Sequence, residues 1–372
     1  MLTEPLTFIS LTGYICLILL AFQLATGRTI VDREQAFHSS ILLLLLSLGY
    51  YAAQTIPGFD LREHGEKPVV LAPVLITITA IALWHRYYLV VAIISVACLG
   101  FVLGLYEDAS LWSYLLDPAV TILALVIVWR NRQAFRQVSI SEQNAQLWPL
   151  VTVGVFLAYA VACSYYDPEV FRHVLVVEDG FVEWMTVVAL LVTMAVCIRR
   201  FMLLRRARSG LFLAVTALLA AFCLFGAGEE ISWGQRILGL ESPDYFQENN
   251  AQGEIGLHNL VVEIDGEEVK LNKLIFGTGL AIGLSIYLFV ATPLYRRRPA
   301  VKGFFDAIAA PMPKNYHIIG YLVIVAVVEL LIDHSKRGEM TEFAGAIMFS
   351  LNVIFPDNAA LFKAEAAEST DE

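Results

Sequence analysis

Long apolar runs, each of the length that crosses a bilayer and each closed by charged or turn residues, recur along this chain and leave it few folds to choose from. Eleven are legible, at 7–26, 38–54, 68–84, 87–106, 111–129, 146–165, 179–198, 210–228, 274–295, 317–333 and 340–356. Backbone polar groups inside a bilayer must find partners within the chain, so runs of this kind fold as helices. Composition agrees, with 58% of the 372 residues apolar and 16% charged, against about half and about a quarter in soluble domains. The expected fold class is therefore all-α: a polytopic transmembrane helical bundle of about eleven spans. An ordinary soluble enzyme is excluded.

Basic residues orient the spans, because they concentrate in cytoplasmic connections. With the N-terminus outside, 17 of the 25 Lys and Arg residues fall on the cytoplasmic side. The largest groups are Arg199, Arg200, Arg205, Arg206 and Arg208, and Arg296, Arg297, Arg298, Lys302 and Lys314. This alternation fits an odd number of spans and places the C-terminus in the cytoplasm. The opening Met1-Leu2-Thr3-Glu4-Pro5 has no basic segment, so the first run reads as a retained helix and not a cleaved signal. The expected location is a bacterial inner (plasma) membrane, multi-pass. The formal charge of -10 offers no basic surface for nucleic acid. Cys16, Cys98, Cys163, Cys197 and Cys223 all lie in apolar runs with no Cys-x-x-Cys pair, and read as small buried apolar residues.

The chain divides by character. Residues 1–140 form a five-helix membrane part with few polar groups inside its spans and read as scaffold. Residues 141–372 form a six-helix part that carries the unusual ionisable residues, including a long outer connection at 231–272. Four span ends of this second part bring carboxylates to the outer face: Glu178, Asp179 and Glu183 open the seventh span, Glu229 and Glu230 close the eighth, Glu329 and Asp333 close the tenth, and Glu339 and Glu342 open the eleventh. Like charges against apolar runs repel unless a cation, a shared proton or an Arg compensates them. Helical spacing would put Glu329 and Asp333 on one face, and nearly so Glu178 and Glu183. Glu178, Asp179 and Glu339 read as solvated helix ends, whereas Glu183, Glu229, Glu230 and Glu329 sit against apolar sequence.

The outer connection reads as folded: an interfacial helix from Ile231 to Leu240 that Pro243 ends, a segment rich in amides and carboxylates from Asn249 to Asn259, and a short β-hairpin over 261–271 with an Asp265-Gly266 turn. On a helical turn Glu254 and His258 would stand four apart and face one cation, with Asn259 orienting the imidazole. A carboxylate and imidazole set of this kind suits a divalent metal that activates water while a second carboxylate takes the proton. The candidate catalytic residues are Glu229, Glu230, His258 and Arg236; the candidate metal ligands are Glu183, Glu230, Glu254, His258, Asp333 and His334. Asn249, Asn250, Gln252 and Asn259 are the candidate substrate-binding amides. His38, His64, His85, His173 and His317 stand at other span ends or connections and read as interfacial.

The pair Glu229-Glu230 followed by Arg236 at a membrane boundary resembles the first motif, Glu-Glu-x-x-x-Arg, of the intramembrane CAAX-type prenyl proteases. Here Arg236 comes six residues after Glu230 instead of four, no Phe-x-x-x-His follows, and no residue role is carried over.

Two functions follow from these residues. One is an integral membrane hydrolase or transferase, supported by a divalent metal ion and acting on a lipid or lipid-linked substrate at the outer face. The other is a proton- or cation-coupled carrier that uses Glu183, Glu229 and Glu329; a scaffold that binds a protein partner through the outer loop is a third.

Overall fold

The computed structural model describes residues 18, 22, 25–26, 37–45, 68–102, 118–130, 141–178, 180–257, 260–264, 267–270 and 279–363, and these are mostly helical, with turns and irregular connections and one short pair of strands. The chain separates into two compact units, Met1–Tyr159 and Ala160–Glu372.

In the first unit, α1 (Pro68–Trp84) and α2 (Tyr88–Val102) are joined by a reversal at His85-Arg86-Tyr87. Arg86 takes a positive φ of 57° there, and the Tyr87 N–H donates to the Ala82 carbonyl at 2.7 Å. The buried residues Leu71, Leu75, Ile78 and Ala82 recur at helical spacing on α1 and pack with Val90, Ile93 and Ala97 of α2 and with Val120, Leu123 and Ile127 of α3 (Pro118–Arg130). The next helix, α4 (Glu142–Tyr166), contains the division between units. His85 is anchored within the first unit: its Nε2 accepts from Trp148 Nε1 at 2.8 Å.

The second unit begins with α5 (Phe181–Leu204) and α6 (Gly210–Glu230), which pack along each other. Small residues allow the approach: Ala220, Cys223 and Ala227 of α6 are buried, and Cys223 and Ala227 meet Val187 and Leu190 of α5. The connection after α6 follows, and its described residues include a single helical turn at Gln235–Leu238 and a helix, α7 (Asp244–Asn249). Its strands β1 (Val261–Ile264) and β2 (Glu267–Lys270) pair antiparallel, Val262 opposite Val269. Asp265 and Gly266, expected as the turn, lie outside the described residues.

After α8 (Leu280–Ile286) the helix widens into a π-turn, Tyr287–Ala291, and continues as α9 (Thr292–Arg297). Pro293 has no N–H to return to the preceding turn, and the wider turn accommodates the loss; Thr292 Oγ1 donates to the Tyr287 carbonyl at 2.8 Å. Then come α10 (Pro299–Ala307), α11 (Asn315–Leu331) and α12 (Gly338–Ile354), with α12 packed on both α5 and α11. His317 is fully buried rather than interfacial, with Nδ1 accepting from the Lys314 N–H at 3.0 Å.

Among the described residues, three helices, α4, α5 and α6, are long and apolar enough to cross a membrane, and Leu71–Trp84, Tyr88–Val102, Val120–Arg130 and Asn315–Leu331 are shorter apolar helices. At 24 residues, α5 is about 36 Å long. Its outward face carries exposed Val188, Leu191, Val192 and Ile198; α6 exposes Leu218 and Phe222, and α11 exposes Ile319, Leu322 and Val323. Bundles in water do not leave such continuous apolar faces open, and lipid is the solvent that fits them. The run at 7–26 lies almost wholly outside the described residues, as does the first part of the run at 111–129.

The end of α12 opposite its acidic start is held by Arg200, a buried residue of α5. Its guanidinium donates to the Val353 carbonyl at 2.7 Å and the Ile354 carbonyl at 2.8 Å, and lies 4.4 Å from the centre of the Phe362 ring. These carbonyls are among those a helix C-terminus leaves without intrahelical partners. Arg200→Ala is expected to lower stability by about 3 kcal/mol, the worth of two hydrogen bonds to a buried cation. Arg200→Lys recovers only part, since an ammonium cannot fork to two carbonyls. Thermal unfolding in detergent checks both.

Candidate functional site

Four carboxylates from three helices meet at one end of the second unit. Glu183 lies in the first turn of α5, Glu230 is the last residue of α6, and Glu339 and Glu342 lie near the start of α12. Glu230 stands within electrostatic reach of Glu342, Glu183 and Glu339, and Glu342 within reach of Glu339, its neighbour three residues back on the same helix face. All four side chains are half-buried. Positive charge arrives at the edge of the group: Lys336 acts on Glu339 and stands 3.9 Å from Glu178.

The connection that follows α6 is clamped beside this group. Glu229, buried next to Glu230, accepts from Trp233 Nε1 at 2.7 Å and from the Leu257 N–H at 2.6 Å. Gln235 accepts from the Ile255 N–H at 2.7 Å and donates to Ser242 Oγ at 2.7 Å. The Ser232 hydroxyl donates to Glu254. Gln252 Nε2 donates to Glu178 Oε1 at 2.8 Å, which ties the loop to the approach to α5. The segment from 250 to 257 thus lies against the end of α6, held by residues 229–235.

A sharp chain reversal makes the clamp possible. Ser232, Trp233 and Gly234 have φ values of 46°, 55° and 75°. Three successive left-handed residues end α6 abruptly and swing the Trp233 ring back over the helix. Gly228 is the surface on which the ring rests, since a Cβ there would come within 2.9 Å of Trp233 Cε3. The regular interfacial helix expected from 231 to 240 is therefore absent; in its place stand a tight turn, Ser232–Gly234, and a single turn, Gln235–Leu238, closed by Gly239 at φ 63°.

Other expectations are corrected by the backbone. Residues 250–257 are turns and bends with Gly253 at φ 69°, so the helical spacing that would aim Glu254 and His258 at one point is not present, and Glu254 instead receives the Ser232 hydroxyl. Asp333 lies beyond the end of α11 at Leu331, so it does not share a helix face with Glu329. Glu329 pairs with Arg337 at 2.7 Å, and both are largely exposed. His334 packs 4.8 Å from the Phe171 ring and accepts the Lys336 N–H on Nδ1 at 3.0 Å. Glu178 precedes α5, which starts at Phe181, and contacts Gln252 and Lys336 instead of sharing a face with Glu183. Asn250 is buried with both ends of its amide engaged in the loop, donating to the Gly256 carbonyl at 3.1 Å and accepting from the Gln252 N–H at 2.8 Å. Asn249 donates to the Tyr245 carbonyl at 2.9 Å. His258, Asn259, Asp179 and the side chain of Arg236 lie outside the described residues.

Glu339 and Glu342 were not among the candidate ligands or catalytic groups. The signal was present as two acids three apart at the start of an apolar run. Among the described residues, no group of three or more His, Cys, Asp or Glu side chains is arranged to hold a metal ion. Cys197 and Cys223 are buried and unbridged.

Comparison of the chain with family models, with curated proteins and with solved structures returns no match.

Proposed function

We propose that the chain is an integral membrane enzyme of the hydrolase or transferase type, acting on a lipid or lipid-linked substrate at the outer face of a bacterial inner membrane. The observation that carries this reading is the convergence of Glu183, Glu230, Glu339 and Glu342 beneath a folded connection. A group of carboxylates held partly out of water keeps one member protonated beside an ionised one. That is the combination needed to donate a proton to a leaving group and to take one from an attacking water or hydroxyl. Glu230, central to the group, is assigned the base. The divalent metal of this proposal draws on Glu183 and Glu230, with His258 kept as a ligand from the sequence alone; Glu254 and His334 leave the ligand set because Glu254 receives the Ser232 hydroxyl and His334 Nδ1 receives the Lys336 N–H, and Asp333 because it follows the end of α11. Lipid reaches such a centre laterally, between apolar helix faces, without crossing water.

A proton-coupled carrier is the second reading, favoured by the purely carboxylate make-up of the group. Against it stands the location at helix ends: between Val188 and Phe225, the two long helices α5 and α6 carry no acid, whereas carriers bind their ions near the midplane. The protein purified into nanodiscs of cell lipid extract separates the readings. The enzyme converts a lipid, detected by mass spectrometry, and Glu230→Gln does not. Proton-driven uptake into vesicles with every lipid unchanged would replace the enzyme by the carrier.

The orientation proposed for the eleven spans, N-terminus out and C-terminus in, puts Arg205 in the cytoplasm and Asn250 outside. Reporter fusions at these two positions are expected on opposite sides of the membrane; the same side for both would dismantle the topology.

A further inference from the structure

The end of the second unit opposite the carboxylates is basic. Leu204 at the end of α5, Phe212 in the first turn of α6, Ala309 just beyond α10 and Phe362 share one buried cluster, so the α5–α6 turn and the end of α10 lie together there. Arg296 ties the end of α9 to the same region, donating to Asn315 Oδ1 at 2.6 Å and to the Pro313 carbonyl at 2.7 Å. The described acids of this end are already engaged. Asp357 stands 3.8 Å from Arg296, and Asp306 accepts from the Tyr295 hydroxyl at 2.8 Å and from Asn358 Nδ2 at 3.3 Å. Four cations are not: Arg205 and Arg206 in the α5–α6 turn, and Arg297 and Arg298 at the α9–α10 corner, are exposed and form no hydrogen bond or ion pair among the described residues.

Their position says what meets them. Exposed Met202 and Leu203 come within a turn of Arg205 and Arg206, and exposed Leu294 within a turn of Arg297. The charges therefore stand at the rim of the apolar surface, at the depth of lipid headgroups. The corner that carries two of them leads into a helix of matching character. A residue before proline is pushed into extended backbone, and Arg298, at φ -121° and ψ 109°, turns the chain between α9 and α10. At nine residues α10 is about 14 Å long, less than half of a bilayer core. Val301, Phe304, Phe305 and Ile308 recur on one side of it at helical spacing, with Lys302 and Asp306 on the other. Phe305 packs on the Tyr295 ring at 6.4 Å, whereas Phe304 is 59% exposed. A short helix with a polar side and an open aromatic beside free arginines suits the membrane interface. Phosphatidylcholine brings a cation with every phosphate. Only a lipid of net negative charge offsets arginines that no described acid balances.

We propose that this end of the second unit binds anionic phospholipid, with Arg205, Arg206, Arg297 and Arg298 on the headgroup phosphates and Phe304 among the upper acyl chains. The proposal needs a membrane around the chain, but neither the orientation of the spans nor the reaction assigned to the carboxylates.

Photolabelling of the full chain in phosphatidylcholine nanodiscs tests it. The probe, a small fraction of the lipid, is either phosphatidylglycerol or phosphatidylcholine with a diazirine near the glycerol end of one acyl chain. Labelling of residues 299–308 is expressed as a share of all labelling of the protein, which removes differences in incorporation. The share is expected to be at least about fivefold larger with phosphatidylglycerol, the worth of one cation at a membrane surface, and the excess falls at high salt because exposed charges are screened. Gln at all four arginines brings the two probes level, while Arg205→Gln with Arg206→Gln, or Arg297→Gln with Arg298→Gln, falls between. These side chains are exposed, so the fold does not depend on them, and unchanged total labelling shows that each variant remains inserted. Equal shares for the native chain, an excess that survives the fourfold substitution, or an excess indifferent to salt each overturns the proposal. So does an excess that appears only after Glu365→Gln, Glu368→Gln, Asp371→Asn and Glu372→Gln are introduced together, which would assign the arginines to the chain's own acidic end.

Discussion

Glu230→Gln is expected to lower turnover by about 100- to 10,000-fold, the usual worth of a positioned acid or base, while the folded protein stays as stable as before or becomes more so. The two effects have one cause. Glu230 ends α6 among Glu342, Glu183 and Glu339, and four carboxylates held together half-buried repel one another or force a proton on to one of them. An amide of the same shape carries no charge, accepts no proton, and relieves that repulsion. A residue kept only for structure would behave in the opposite way, since its loss would reduce stability and expression. Thermal unfolding in detergent, alongside turnover of the lipid identified in nanodiscs, measures both quantities on one preparation. A fall in stability that tracks the fall in turnover would place Glu230 among the structural residues.

Glu229 is expected to give the contrasting result. Its carboxylate binds Trp233 Nε1 at 2.7 Å and the Leu257 N–H at 2.6 Å, so Glu229→Ala removes two hydrogen bonds to a buried anion and leaves both donors without it. At about 1.5 to 3 kcal/mol for each such bond, the local loss is about 3 kcal/mol or more. That is on the order of a 100-fold increase in opening of the segment 250–257. Hydrogen exchange at the Leu257 amide and limited proteolysis between Pro243 and Leu257 both accelerate accordingly, while the helices, whose contacts lie elsewhere, exchange as before. Protection unchanged at Leu257 would show that the loop is held by other means. Adjacent glutamates thus separate into two tasks: Glu229 fastens the connection, and Glu230 takes part in the carboxylate centre.

That separation was not legible in the sequence, where the two residues are chemically alike. Their roles diverge because α6 continues through both and then reverses at Ser232-Trp233-Gly234. A reversal built from two non-glycine residues at positive φ leaves little trace in sequence, since such residues are sparse in that region. Helical periodicity overreaches for the same reason: it joins Glu329 to Asp333 across the end of α11, and it extends a helical turn from Glu254 through residues 254–257, which are not helical. The membrane helices themselves were easier to read. Uniformly apolar stretches such as Phe181–Leu204 announce both their structure and their solvent by length alone, and the ends differ from expectation by a few residues because the charged or polar flanks complete the last turns. Grouping of acidic span ends was visible as a pattern of orientation. Which acids joined the group depended on tertiary packing, which brought Glu339 and Glu342 in and left Glu329 with Arg337.

Cross-linking of paired cysteines, introduced at 183 with 230 and at 230 with 342 in a chain whose native cysteines are replaced, bears most directly on the convergence of these helix ends. A short bismaleimide applied in native-like membranes is expected to join both pairs. It should fail on a control pair at 205 and 230, because Arg205 stands some 33 Å along α5 from Glu183. Failure of both test pairs, with each single cysteine still reacting with the reagent, would mean that the acidic ends lie apart and that no carboxylate centre forms.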